Sequence, residues 1–207
     1  MSINQVSNKP YDLIVFGATS FVGQILTRYL VETIGANGDV SWAIASRSAT
    51  KLSSLKDSLG TAASELPVLI ADSHDEASLQ ALCDQTGVII STVGPYALYG
   101  ELLIKACAES GTDYTDLTGE AHWIAQMKDK YNQAAKASGA RIVNCCGFDS
   151  IPSDMGVFAM QQQAQAQFGR PMPHAKLRVK AMKGGASGGT IASMIEGLKA
   201  AKADAAL

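Results

Sequence analysis

The stretch from Leu13 to Leu26, LIVFGATSFVGQIL, sets Gly17 and Gly23 six positions apart, between an apolar run and an amphipathic one. Glycines in such a turn let a strand pass sharply into a helix and let backbone amides approach a phosphate, where the unpaired N–H groups of a helix start favour negative charge. The spacing is that of G-x-x-G-x-x-G, with Ser20 in the middle position. A serine is small enough to leave the amides reachable, and its hydroxyl can donate to a phosphate oxygen or cap the helix. The turn therefore offers a seat for a pyrophosphate on Thr19, Ser20, Phe21 and Val22, shaped by Gly17 and Gly23. A tight turn in an unrelated α/β protein would use the same glycines, so the surroundings of the motif have to decide.

Those surroundings alternate short β-branched runs with longer amphipathic ones. YDLIVFG precedes FVGQILTRYLVETI, VSWAIAS precedes ATKLSSLKDSLG, and LPVLIAD precedes DEASLQALCDQ. The pattern continues with GVIISTVG and ALYGELLIKACAESG, TDYTDL and EAHWIAQMKDKYNQAAKASG, then ARIVNCCG and SDMGVFAMQQQAQAQFG, the last ended by Gly169 and Pro171. The strands read as continuous apolar runs buried on both sides, and Phe21, Val22, Ile25, Leu26, Tyr29 and Leu30 form the expected core face of the first helix. Six strands with helices between them, opening on a glycine turn, predict a doubly wound parallel α/β sheet of the Rossmann type, with its ligand across the carboxyl ends of the strands.

Three further loops fall on that edge. Ser46-Arg47-Ser48 follows the second strand and would meet the adenosine ribose, Ala71-Asp72 follows the third and would meet the adenine, and Thr92-Val93-Gly94-Pro95-Tyr96 follows the fourth toward the nicotinamide. Each also has a plainer reading: a solvated arginine, an N-terminal cap at Asp72 and a simple Gly94-Pro95 turn. Selection of NAD usually rests on an acidic residue about 20 positions past the turn. Here that place holds Arg47 between two serines, while Asp39 precedes the strand and Asp57 lies in the next helix, which predicts NADP(H) in preference to NAD(H).

Composition narrows the partners. In 207 residues with a net charge of −2 and 17% charged residues there is no basic surface for nucleic acid, and small soluble ligands are the expected partners. The four cysteines, Cys83, Cys107, Cys145 and Cys146, form no C-x-x-C pair and stand near no histidine at ligand spacing, so neither metal nor disulfide is expected and a cytoplasmic setting fits. No stretch is long and apolar enough to span a bilayer. Residues 1–10 read as a mobile polar tail, 11–150 as the nucleotide-binding domain, and 151–207 as the beginning of a truncated second domain, with AKLRVKAMKGG a strand and GGTIASMIEGLKAAKADAAL a helix. Either the remainder of that domain is missing from the chain, or these residues pack on the first domain or on another copy.

VFGATSFVGQIL, TVGPYALYGELLIKACAESGTDYTDLTGE and NCCGFDSIPSDMG together resemble the saccharopine dehydrogenase-like oxidoreductases, and within them the branch of bacterial trans-acting enoyl reductases. The resemblance runs from Asp12 to the chain end. It implies an NAD(P)-binding domain followed by an α+β substrate domain through which a homodimer could form. It also implies hydride transfer between the nicotinamide and a small-molecule or lipid-linked substrate, with enoyl reduction one form of it, and leaves the substrate itself open.

Such transfer needs a group to supply or take a proton. Tyr96, Tyr114 and Asp149 are the candidates, with Tyr99, Asp116, Glu120 and His122 nearby in sequence, and each has a packing role as its alternative. The segment GGASGGT, with Ser187 and Thr190, is either a backbone seat for an anion or a loop and N-cap. A short-chain dehydrogenase is disfavoured because no Y-x-x-x-K occurs, and a phosphate-loop hydrolase because G-x-x-x-x-G-K-[ST] is absent. A non-catalytic NADP-binding sensor or scaffold shares the expected fold and needs no proton donor.

Overall fold

Residues 9–181 and 183–203 are described in a computed structural model of the chain; residues 1–8 of the expected tail (1–10), Met182 and residues 204–207, where the last helix was expected to end, lie outside the described residues. All six expected strands form: β1 (Tyr11–Phe16), β2 (Trp42–Ser46), β3 (Val68–Ile70), β4 (Thr86–Ser91), β5 (Asp113–Asp116) and β6 (Ile142–Val143). They make one parallel sheet in the order β3-β2-β1-β4-β5-β6, with Leu13 opposite Trp42 on one side of β1 and Val88 on the other. This is the doubly wound Rossmann order, and the direction of winding reverses between β1 and β4.

Helices α1 (Phe21–Ile34) and α2 (Ala49–Leu59) cover one face, and α3 (Glu76–Cys83), α5 (Glu101–Ser110) and α6 (Ala121–Ser138) cover the other. The side-chain alternation of β1 divides between them. Val15 joins Ile44, Leu52 and Leu66, whereas Ile14 and Phe16 join Ile89, Leu103, Ile104, Tyr114 and Trp123. Truncating a fully buried member such as Leu52 to alanine would cost about 2–5 kcal/mol.

The structure corrects the sequence reading in four places. In α1 the residues against the sheet are Gly23, Thr27 and Val31, flanked by Leu26 and Leu30, while Phe21, Ile25 and Tyr29 are 67%, 56% and 60% exposed. Gly23 explains the rotation: a Cβ there would overlap the Gly17 carbonyl oxygen and come within 2.8 Å of Ala18 Cα, so helix and strand approach too closely for large side chains. The expected helix from Ala97 to Gly111 is two, α4 (Tyr96–Tyr99) and α5, parted at Gly100, where the Trp123 ring fills the space of a Cβ.

Among the described residues of 175–185 the expected strand does not form. Its alternating apolar and basic residues need a neighbouring strand to pair their backbone groups, and Leu177 and Val179 stand 72% and 71% exposed. Finally Lys9, placed in the tail from sequence, is anchored: its ammonium donates to the Cys83 and Thr86 carbonyls at 2.8 and 3.0 Å. Beyond the sheet lie α7 (Ile151–Phe168), capped by Gly169 in the left-handed region, and α8 (Gly188–Ala203). Among the described residues no helix is long and apolar enough to cross a membrane.

Candidate functional site

The glycine turn carries the geometry that its residue types suggest. Gly17 has φ 87°, and a Cβ there would come within 2.6 Å of the Val93 side chain, so the close passage of the β1–α1 turn past the end of β4 requires glycine. Ser20 is the N-cap of α1, its Oγ accepting from Gly23 N at 2.9 Å. The Thr92 hydroxyl donates to the Gly17 carbonyl at 2.8 Å, which leaves the Ser20 hydroxyl to donate to Thr92 Oγ1 at 3.0 Å. Of the two uses left open for Ser20, the cap is formed.

The amide of Ser20 turns inward to the Gly17 carbonyl at 2.8 Å. Those of Thr19, Phe21 and Val22 have no acceptor among the described residues, the condition in which a helix start attracts an anion. The amides left open at this helix start are therefore those of Thr19, Phe21 and Val22, with Ser20 stiffening the turn.

Two cavities meet at this turn. One, of about 440 Å³, lies across the carboxyl ends of β2, β1 and β4 and is lined by Gly17, Thr19, Ser20, Ser46, Arg47, Ala71, Val93, Gly94 and Pro95. The other, of about 540 Å³, lies beyond β4 and is lined by Ser20, Phe21, Val22, Gly94, Tyr96, Glu120, His122 and Asp149, closed on its far side by α8. Ser20, Thr92, Gly94 and Gly189 line both, so the cavities adjoin at these residues. Gly23 lines neither and serves helix packing.

At the β2 end, Arg47 is exposed and its guanidinium has no hydrogen bond or ion pair among the described residues. Ser46 is 6% exposed and its Oγ accepts from Ser48 N at 3.2 Å, while Ser48 caps α2 by accepting from Lys51 N. Ser48 lines the cleft as expected, and Lys51, which was not singled out from sequence, lines it too. The signal was available for Lys51, which sits one turn into α2 and four residues after Arg47. Asp72 is turned away: its carboxylate closes a local turn by accepting from His74 N at 3.0 Å, its neighbours Ala71 and Ser73 line the cleft, and Asp75 caps α3.

At the β4 end the loop is held from within. Tyr96 is 5% exposed, and its hydroxyl donates to the Ser91 carbonyl at 3.1 Å and accepts from Leu117 N. Tyr114 is buried in the core and donates to Asp116 Oδ2 at 2.8 Å. Burial, reinforced by the Asp116 charge, pushes both phenols well above the usual tyrosine range. Asp116 is itself pushed up by burial although its carboxylate also accepts from Asn144 Nδ2, Thr118 N and Cys145 N. Of the candidate acids, Asp149 is exposed and lines the second cavity, as does the half-buried His122; neither side chain has a hydrogen bond or ion pair among the described residues.

No group of three or more His, Cys, Asp or Glu among the described residues could hold a metal ion, and the four cysteines are free. Ser187 and Thr190 share a hydroxyl contact of 3.0 Å, with Thr190 N donating to Ser187 Oγ at 3.2 Å, the N-cap arrangement of α8.

Residues 13–143 match the family described as saccharopine dehydrogenase NADP binding domain. The chain belongs to this family. It accordingly carries an NADP-binding domain, as the sequence motifs imply. A Mycobacterium tuberculosis protein provisionally named trans-acting enoyl reductase is 42% identical over 95% of this chain and 46% of its own length. The trans-acting enoyl reductase of Mycobacterium ulcerans is 36% identical over 96% and 47%, and a lipid droplet localized protein of Caenorhabditis elegans is 37% identical over 94% and 46%. The chain thus spans about half the length of these relatives. Saccharopine dehydrogenase (L-Glu forming) from Saccharomyces cerevisiae superposes with a TM-score of 0.59 at 19% identity, over 75% of this chain and 32% of that one, and shares the fold.

Proposed function

We propose that the cleft over β2, β1 and β4 binds NADP(H), and that the adjoining cavity receives a small or lipid-like substrate bearing the double bond to be reduced. The observation that carries this reading is that the two cavities share Ser20, Thr92, Gly94 and Gly189 as lining residues, so that ligands in the two would be neighbours. The unpaired amides of Thr19, Phe21 and Val22 would take the pyrophosphate, and the Gly17 and Gly23 passages, too tight for a Cβ, fit a backbone shaped for that approach. Arg47 and Lys51, with the Ser46 and Ser48 loop beneath them, would hold the 2′-phosphate and give preference over NAD(H). Val93, Gly94 and Pro95 would line the nicotinamide end, with Tyr96 fixing the loop behind them.

NADPH bound in this way supplies a hydride, and the names of the mycobacterial relatives support a carbon–carbon double bond as its acceptor. Asp149 and His122 are the wall residues free to hand on the accompanying proton, whereas the Tyr96 and Tyr114 hydroxyls are committed to structural partners. Residues 11–150 act as the cofactor domain in this reading, and α7 and α8 begin the substrate side.

The test is titration of the chain with NADPH and NADH, and comparison of NADPH consumption on enones and enoyl thioesters by this chain and by a longer version carrying a whole second domain. Saturable NADPH binding tighter than NADH is expected of the chain, with turnover in the longer version alone and lost there in Asp149→Asn or His122→Asn. No saturable binding overturns the cleft assignment. Tight binding with no consumption of any enone or enoyl thioester by the longer version favours a sensor.

A further inference from the structure

We propose that Glu120 is the positioning residue of the nicotinamide end, a buried carboxylate that sets the Val93–Tyr96 loop and joins it to α8. This rests on the cleft being the dinucleotide site and adds the group that shapes its most constrained end.

Helix α4 begins with Pro95 at its N-cap, a residue with no side-chain acceptor, and no side chain at that position caps it. The first amides of a helix need partners, and these find theirs more than 20 residues downstream. Glu120 Oε1 accepts from Tyr96 N at 2.9 Å and Oε2 accepts from Ala97 N at 2.8 Å. The Ser193 hydroxyl, on α8, donates to Oε1 at 2.7 Å. Glu120 is 5% exposed with both oxygens engaged, so it is placed to fix its neighbours rather than to exchange protons with a substrate.

The three donors are the two sides of the substrate cavity. Tyr96 and Ala97 continue the loop whose Val93, Gly94 and Pro95 line the cofactor cleft, and Ser193 belongs to the helix whose first turn, at Gly189, borders both cavities. One carboxylate therefore registers the roof of the nicotinamide end against the helix that closes the neighbouring cavity. The β2 end, where the 2′-phosphate would lie, makes no contact with this group.

That separation supplies the test. NADPH reaches both ends of the cleft, whereas 2′,5′-ADP reaches only the adenosine end. In Glu120→Gln the amide nitrogen replaces an acceptor and faces a backbone N–H, whichever way the group turns. The Kd for NADPH is expected to rise about tenfold while that for 2′,5′-ADP stays within about twofold. Ser193→Ala, which leaves both backbone bonds intact, is expected to raise the NADPH Kd by about threefold with no change for 2′,5′-ADP. It decides the matter if the Glu120 variant does not fold. Equal losses for both ligands, or unchanged NADPH binding, overturn the proposal. A wild-type chain that binds neither ligand overturns the cleft assignment itself, and this inference with it.

Discussion

The two ends of the cleft are built on opposite plans. At the β2 end, Arg47 on a short serine loop and Lys51 in the first turn of α2 stand exposed, with charge presented outward. At the β4 end nearly every polar group is already satisfied: Glu120 on the α4 amides, Tyr96 between Ser91 and Leu117, Asp116 among Tyr114, Thr118, Asn144 and Cys145. The first plan recognises by charge and can be edited without disturbing the fold. The second would recognise by shape fixed before any ligand arrives, and editing it disturbs the fold together with any site there.

The strongest way to break the comparison is at the turn both ends share. Gly17→Val forces a side chain against Val93 and Thr92 from a left-handed backbone position, and is expected to weaken NADPH and 2′,5′-ADP alike by more than about a hundredfold, on the order of 3 kcal/mol. Isothermal titration with both ligands checks it, and normal binding would make the turn purely structural.

Asp116→Asn addresses the shape-fixed end. The amide places a donor against the Tyr114 hydroxyl or the Asn144 amide, two groups that now donate to Oδ2. A loss of about 2–4 kcal/mol, seen as a fall in Tm of roughly 5–15 °C, is expected. Arg47→Ala, by contrast, should leave Tm within about 1–2 °C and instead raise the NADPH Kd by about tenfold to a few hundredfold while moving the NADH Kd by less than about twofold. Equal losses for the two cofactors would reduce Arg47 to a surface residue, and a large change in Tm would erase the contrast between the ends. The smallest effect is expected at Ser20→Gly. Glycine is tolerated at an N-cap at the expense of a few tenths of a kcal/mol, so NADPH binding should persist with a change in Kd of less than about threefold.

Much of this organisation is legible in the residues. Strands β1, β2 and β4 are apolar runs bounded by turn residues, and the loops after them are the ones that line the cleft, because in a parallel sheet every strand carboxyl end falls on one edge. The exposed face of α1 was not legible from hydrophobicity. Close packing on β1 selects the small Gly23 and Thr27 over the larger Phe21 and Ile25, a constraint set by distance between backbones rather than by affinity for water. Glu120 shows the same limit at the site. Its type and position suggested a proton donor, and only the fold brings it to amides 23 and 24 residues away. Leu177 and Val179 alternate as a strand should, yet a strand is a property of two segments, and a partner beside them is not among the described strands.

The strand order also gives the molecule a timetable. In β3-β2-β1-β4-β5-β6 the earliest of the described strands in the sequence, β1, ends at the centre of the sheet. As the chain emerges, β1 can pair with β2 once residue 46 is out, but its other neighbour does not exist until residues 86–91 are made. Until then one edge of β1 is open, and the Thr92 hydroxyl that latches Ser20 to Gly17 is missing. Parallel pairing over such separations is slow, because chain closure must precede the contacts that reward it. The phosphate turn is thus local in sequence and late in time. A nascent chain halted before β4 carries a bare apolar central edge, the kind of surface on which chaperone capture and misassembly compete with folding.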